Sequence, residues 1–240
     1  MYNSAKNIDL ISNKKEVPFA FNEVAHKYDL ATFLSQGYQK DLELSVKRMN
    51  LKGNEYLADL CCGTGKSTLA CLQHLTTGKI LAIDNSDEMI KIAKKKFVGK
   101  NINCKVNDVM VLDFPDNTFS AIFMAYGIRN MPNYKKCLLN LKRMLKPGGV
   151  VAFHEYSLTK NFFNVLYWKF LGYFVIIPLS GILSGTTEIY KYLVKSVLEF
   201  PSPNEFLSLL DYTGFIKVQR LPMPSWRKPI LHTFLAYKPN

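Results

Sequence analysis

Between residues 56 and 154 short apolar runs alternate with intervals of helical spacing, and this alternation limits the fold more than any other feature of the chain. Tyr56–Leu60, Lys79–Ile83, Ile102–Val106, Phe119–Met124 and Val150–His154 read as buried strands. Ser67–Leu75, Asp87–Phe97 and Tyr134–Leu145 carry apolar residues at a period near 3.6 and read as helices. The alternation predicts βαβ units on a parallel sheet, an α/β fold. Asp87 is the expected cap of the second helix, and Lys146-Pro147-Gly148-Gly149 the expected stop of the third. Beyond residue 155 long aromatic-rich helices follow, with Phe215–Val218 and Thr233–Tyr237 as two closing strands. Residues 160–200 are expected to form a lid over a site at the carboxyl ends of the strands.

Composition keeps this reading within bounds. A chain of 240 residues with 48% hydrophobic and 21% charged residues suits one domain and excludes disorder or a collagen-like repeat. Residues 1–18 read as a polar arm closed by Pro18, and 19–240 as a single domain. The net charge of +12 favours an anionic neighbour, either a nucleic acid or a membrane surface. Five cysteines in no CxxC pattern, two of them adjacent, point to a reducing compartment rather than to a disulfide framework or zinc site. The first residues lack the apolar core of a signal peptide, so the expected location is cytoplasmic. Between Phe162 and Leu183 an apolar stretch is interrupted by Lys169, Gly172, Pro178, Ser180 and Gly181, which reads as buried or interfacial rather than spanning.

The chemistry concentrates at the strand ends. Leu57-Ala-Asp-Leu-Cys-Cys-Gly-Thr-Gly65 places two glycines in a tight turn between a strand and a helix. It matches neither GxGxxG nor the P-loop, because Thr68 stands at the third glycine position. Asp59 at the strand end repels a pyrophosphate and attracts a cation. After the second strand Asp84 lies 19 residues beyond Gly65, where a carboxylate can accept both ribose hydroxyls. After the third, Asn107-Asp108-Val109 can receive an adenine amine. Together these groups suit an adenosine that bears a positive sulfonium and no phosphate, S-adenosylmethionine.

DLCCGTG, AIDNS, NDVMVLDFPDNTF and MLKPGG resemble, in order, the motifs of class I S-adenosylmethionine-dependent methyltransferases. The resemblance implies a Rossmann-like seven-stranded sheet with its last strand antiparallel and a helical lid insertion. It also places Asp84 on the ribose, Asp108 and Val109 on the adenine, and Thr68 with Gly63 to Gly65 on the methionine part. FNEVAHKYDLATFLSQG, AYGIRNM, HEYS and YKYLVKSVLEFP are similar to the signatures of the ubiquinone and menaquinone biosynthesis C-methyltransferases, over about residues 19–240. The implied reaction methylates a ring carbon of a polyprenylated benzoquinol or naphthoquinol. Three departures from that pattern touch the site: Ala125 where serine is common, Lys195 where glutamate is usual, and Cys62 where glycine or alanine is common.

A hydroquinone carbon attacks a sulfonium methyl once its hydroxyl is partly deprotonated, so a site must align the reactants and hold a phenolate-like oxygen. Arg129 and Asn130 offer a permanent cation and an amide donor for this task. No metal is required. Base candidates are Glu155, His154, His26, Tyr28, Tyr190 and Tyr192. His154 and Glu155 alternate across a strand, and the resemblance favours Glu155, with Tyr28 closing over the cofactor beside Ala125, and Tyr190 and Tyr192 facing the substrate.

The aromatic segment from Phe162 to Ile177 offers a wall for a prenyl tail, and clusters such as Lys91–Lys100 offer peripheral contact with anionic headgroups on the inner face of a membrane. Nucleic acid is disfavoured as a partner, since no Pro-Cys nucleophile, Asn-Pro-Pro-aromatic run or RNA-binding module is present. Methylation of a sterol- or tocopherol-type lipid, or a non-catalytic quinone-binding role, are the competing readings. A homodimer is left open.

Overall fold

The structure is a computed structural model that describes residues 14–17, 20–22, 25, 37–184 and 187–240. Tyr28 and His26 lie outside the described residues. Seven strands, β1 (Tyr56–Leu60), β2 (Lys79–Asp84), β3 (Ile102–Val106), β4 (Phe119–Ala125), β5 (Leu145–Tyr156), β6 (Ile216–Pro222) and β7 (Leu231–Tyr237), form one sheet in the order β3-β2-β1-β4-β5-β7-β6. β1 to β5 pair in parallel, whereas β7 runs antiparallel to both β5 and β6. This is the doubly wound α/β sheet that the alternating pattern predicts, with the class I methyltransferase topology.

Strand residues alternate between two cores. Ala58, Leu60, Ile122, Met124 and Phe153 pack on one face with Leu138 and Leu141 of one helix (Tyr134–Met144, α4) and with Phe206 and Leu210 of another (Pro203–Tyr212, α8). On the other face, Leu57, Ala82, Phe123 and Ala152 meet three helices, α1 (Tyr38–Arg48), α2 (Lys66–Leu72) and α3 (Asp87–Lys96). Phe206 makes edge-to-face contacts with Phe153 and Phe234. Each fully buried phenylalanine contributes roughly 1.5–3 kcal/mol through apolar burial.

Several boundaries differ from expectation, three of them with a clear local cause. Ser86, not Asp87, caps α3, its Oγ accepting Met89 N–H at 3.1 Å; Asp87 becomes the first helical residue and pairs with Lys91. α2 ends at Leu72 rather than Leu75, because the Gly53 carbonyl accepts the N–H groups of Thr76, Thr77 and Gly78 and draws the chain out of the helix. Lys146–Gly149 is the first part of β5, entered directly after α4 and joined to β4 with a shift in register between Phe119 and Ala121.

After β5 come α5 (Phe162–Phe170), a π-helical turn (Leu171–Ile176), α6 (Ile177–Ser184) and α7 (Glu188–Glu199). The first three form one stretch, Phe162–Ile182, long and apolar enough by length and composition to cross a membrane. It crosses α7 at Gly172, where a Cβ would approach Val194 to 2.6 Å, and Trp168 Nε1 donates to the Val194 carbonyl at 3.0 Å. Its outer face is bare: Phe162, Phe163, Leu166, Phe170, Phe174 and Ile182 are exposed, Phe163 by 77% and Ile182 by 81%. Little of the stretch is buried, so it is not a core helix of the cap.

Candidate functional site

A cavity of about 360 Å³ opens at the carboxyl ends of the parallel strands. Its wall follows the strand order. Asp108 and Val109 come from the turn after β3, Asp84 and Asn85 from the end of β2, Cys61 to Thr64 from the turn after β1, and Ala125, Tyr126 and Asn130 from the end of β4 and its turn.

Backbone conformation shapes the β1 turn. Cys61 has φ +57° and Gly63 φ +54°, the left-handed region that costs a residue with a Cβ. A Cβ at Gly63 would find only Met89 Sδ, 4.0 Å away, so the bare backbone faces open space. Gly65 serves another purpose, because a Cβ there would drive into the Phe97 ring at 2.4 Å. Gly65 therefore packs on the core behind the turn and is not part of the cavity wall.

The acidic residues divide into two kinds. Asp84 accepts Gly63 N–H at 2.8 Å and Ser86 N–H at 2.9 Å, which ties the two turns together while its side chain borders the cavity. Burial raises its pKa, against the pull of those backbone donors. Asp108 accepts Met110 N–H at 2.8 Å, fixing the turn that carries Val109. Asp59 is fully buried below the β1 turn and accepts Ser67 Oγ at 2.8 Å and Thr68 Oγ1 at 2.6 Å. Its Oδ1 has no hydrogen-bond partner among the described residues. Burial, with the nearby Asp84 charge adding, pushes its pKa up to about 7. Thr68 is thus engaged with Asp59 and does not line the cavity, where the resemblance put it against the cofactor.

Arg129 and Asn130 sit on one turn and point to different places. Arg129 is only 4% exposed; its Nη1 donates to Glu155 Oε1 and its Nε to Ser196 Oγ at 2.9 Å. Neither Arg129 nor Glu155 borders the cavity. The expectation of a cation held over the substrate is corrected here: the guanidinium is satisfied by a carboxylate and locks the β4 turn to β5 and α7. Burial raises the Glu155 pKa, and the Arg129 charge opposes it. Asn130 does reach the cavity, with its Nδ2 on the Tyr126 carbonyl at 3.3 Å and its Oδ1 accepting Tyr192 Oη at 2.9 Å. Tyr192 is buried and its pKa is pushed up to about 12 by burial. Tyr190 does not itself line the cavity but packs in the cluster of Val17, Ile189 and Tyr192, of which Val17 is a wall residue.

Among the wall residues that escaped the sequence reading are Lys14 and Tyr126. Lys14, assigned to a polar arm, donates to the Arg129 carbonyl at 2.8 Å, the Met131 carbonyl at 3.2 Å and Tyr134 Oη at 3.2 Å. A lysine in the polar run Asn13-Lys14-Lys15-Glu16 carries no signal of its own. Tyr126 lies inside the AYGIRNM run, where the arginine and asparagine beside it drew the attention.

Comparison with known proteins agrees with this geometry. The family model for the ubiE/COQ5 methyltransferase family matches residues 9–223. A demethylmenaquinone methyltransferase of Staphylococcus aureus is 32% identical over 214 residues, covering 87% of this chain and 88% of its own length. Among solved structures, phosphoethanolamine N-methyltransferase 2 of Haemonchus contortus superposes with a TM-score of 0.68 at 16% identity, over 90% of this chain and 57% of that one. A SAM-dependent methyltransferase of Thermotoga maritima gives 0.64 at 16% identity, over 92% and 99%. At that identity the structural likeness speaks for the fold, whereas the family model spans most of the sequence: the chain belongs to the ubiE/COQ5 methyltransferase family.

Proposed function

We propose that this chain is an S-adenosylmethionine-dependent C-methyltransferase acting on a ring carbon of a polyprenylated quinol, a demethylmenaquinol or a ubiquinone precursor. The observation that carries the reading is the order of the cavity wall along the sheet, Asp108, Asp84, Gly63, then Tyr126 and Asn130. A nucleoside laid across the strand ends meets an adenine contact at Asp108 and Val109, a ribose acceptor at Asp84, and open backbone at Gly63 for its amino-acid part. The bare Gly63 position and the two cavity carboxylates fit a cationic nucleoside better than a diphosphate. When bound, S-adenosylmethionine supplies a methyl carbon made electrophilic by a positive sulfur.

The reacting end of the site then falls at the β4 turn. Asn130 offers an amide whose orientation is set by Tyr192 and by the Tyr126 carbonyl. Arg129 and Glu155 act as a positioning pair for that turn, and Lys14, its charge disfavoured by burial and by Arg129, straps the turn from the N-terminal side. The exposed aromatic face of α5 and α6 supports a route for the prenyl tail, and we propose that it docks on the inner leaflet of a membrane, with Lys169 in α5 and Lys191 and Lys195 in the following helix α7 as basic side chains.

Mass spectrometry of quinones in cells that lack this protein tests the reading. A species one methyl lighter than the normal quinone should accumulate; an unchanged quinone pool overturns the assignment.

A further inference from the structure

The turn that joins β6 to β7 carries Trp226 near its tip, 54% exposed, within Pro224-Ser225-Trp226-Arg227-Lys228-Pro229. A single exposed apolar side chain is ordinary, but this one stands on a built support. Arg48 of α1 donates from Nη1 to the Leu221 carbonyl and from Nη2 to the Pro222 carbonyl, both at 2.8 Å, and clamps the strand that leads into the turn. Arg227 Nη2 donates to Asp41 Oδ1 at 3.2 Å while its Nε lies 2.7 Å from Oδ2, so α1 holds the turn at a second point. The same guanidinium lies 5.3 Å from the centre of the Trp226 ring. Ser225 is kept at φ +62°, a left-handed conformation that a residue with a Cβ adopts at a cost. The chain is thus strained and tied down beside the indole that it exposes.

Packing and charge indicate what that indole meets. Met223 and Ile230, at the base of the turn, are fully buried in one cluster with Trp168, Leu171, Ile176 and Ile177. The turn therefore packs against the helical stretch whose outer face bares Phe163 and Phe174. Asp41 neutralises Arg227, and the exposed cation next to the indole is Lys228. Residues 212–240 carry Lys217, Arg220, Arg227, Lys228 and Lys238 and no acidic residue. An indole has an apolar body and one N–H donor, which suits the headgroup level of a bilayer, and a lysine beside it suits an anionic one. A helix that lies in the interface can roll about its own axis, whereas a second contact off that axis prevents the roll.

We infer that Trp226 is a second membrane anchor, its indole seated at the headgroup level of an anionic leaflet with Lys228 against the phosphates, so that the turn and the Phe162–Ile182 stretch together set the orientation of the protein on the bilayer. The inference rests on the membrane docking proposed above. One indole adds to the aromatic face and does not replace it.

The chain has two tryptophans, and the other, Trp168, is 1% exposed, so acrylamide quenching of the full-length protein reports Trp226. Vesicles of phosphatidylcholine with phosphatidylserine should protect Trp226 from acrylamide, and vesicles of phosphatidylcholine alone should protect it much less. Trp226→Ser should weaken binding to the anionic vesicles about tenfold at low and high salt alike. Lys228→Ala should weaken it about fivefold at low salt and little at high salt. Both variants should keep the melting temperature of the wild type and its turnover of a short-tailed, water-soluble quinol. Vesicle binding that leaves Trp226 open to acrylamide, or a Trp226→Ser variant that binds as tightly as the wild type, overturns the anchor while docking through Phe163 and Phe174 stands. Absence of vesicle binding by the wild type defeats the docking itself, and the anchor with it. Protection of Trp226 that appears without lipid and grows with protein concentration assigns the turn to contact between two copies of the chain and overturns the lipid proposal.

Discussion

At the scale of single residues the buried charges decide most of what can be measured. Asp59 holds its proton to about pH 7 in the fold, whereas an unfolded chain releases it near pH 4. Between those values the folded state binds more protons, so its stability falls as pH rises through that window and stays reduced above it. Asp59→Asn removes the ionisation, and the melting temperature of the variant relative to wild type should rise from pH 5 to pH 8 in ligand-free protein. A difference independent of pH would show that Asp59 is ionised throughout. The Arg129 and Glu155 pair follows a different rule. Arg129→Ala leaves a buried carboxylate without its partner, which costs about 3–5 kcal/mol, so loss of activity in that variant alone says little about chemistry. Arg129→Met combined with Glu155→Leu should regain most of the melting temperature of the wild type by thermal denaturation, and any loss of turnover that survives in it reports the positioning of Asn130.

Elements of secondary structure were legible where pattern and burial coincide. β1 and β3 match the expected runs residue for residue, but only β1 is the buried strand expected; β3 stands at the sheet edge with Cys104 alone buried. The side-chain partners were less legible. Asp59, Gly65 and Thr68 read as one binding turn, yet Thr68 and Gly65 face inward, to Asp59 and Phe97 respectively. Sequence spacing cannot distinguish a glycine needed for a ligand from one needed for a packed ring. His154 and Glu155 showed the same limit: alternation put them on opposite faces of the sheet, but only the structure shows that the histidine is buried against Tyr126 Oη and Ser45 and that the glutamate is committed to Arg129. The helical stretch from Phe162 to Ile182 carries its own prediction. Phe163→Glu with Phe174→Glu changes two exposed side chains and no core contact, so the fold should persist by circular dichroism. Sedimentation with anionic vesicles should fall strongly, and turnover should drop for a long-tailed quinol far more than for a short-tailed one. Equal losses on both substrates would assign the face to a purpose other than the tail.

At the scale of the whole molecule the proposed membrane docking draws on the charge and the apolar face together. A net charge of +12 on a fold with a bare aromatic helix is the combination expected of a protein that first meets an anionic leaflet and then inserts apolar side chains. The two contributions respond differently to salt. Attraction to headgroups is screened within a Debye length of about 8 Å at physiological ionic strength, whereas apolar insertion is not. Vesicle binding should therefore weaken as salt rises from low to physiological concentration and then level off at a residual value set by the aromatic face. The Phe163→Glu/Phe174→Glu variant should lose that residual binding and keep a steep salt dependence. A nucleic-acid enzyme would behave otherwise, since binding by phosphate neutralisation falls along one straight line in log salt with no plateau. A plateau on vesicles together with no salt-dependent binding to RNA fits a lipid partner, whereas a straight line on RNA and no vesicle binding would transfer the excess charge to a nucleic acid.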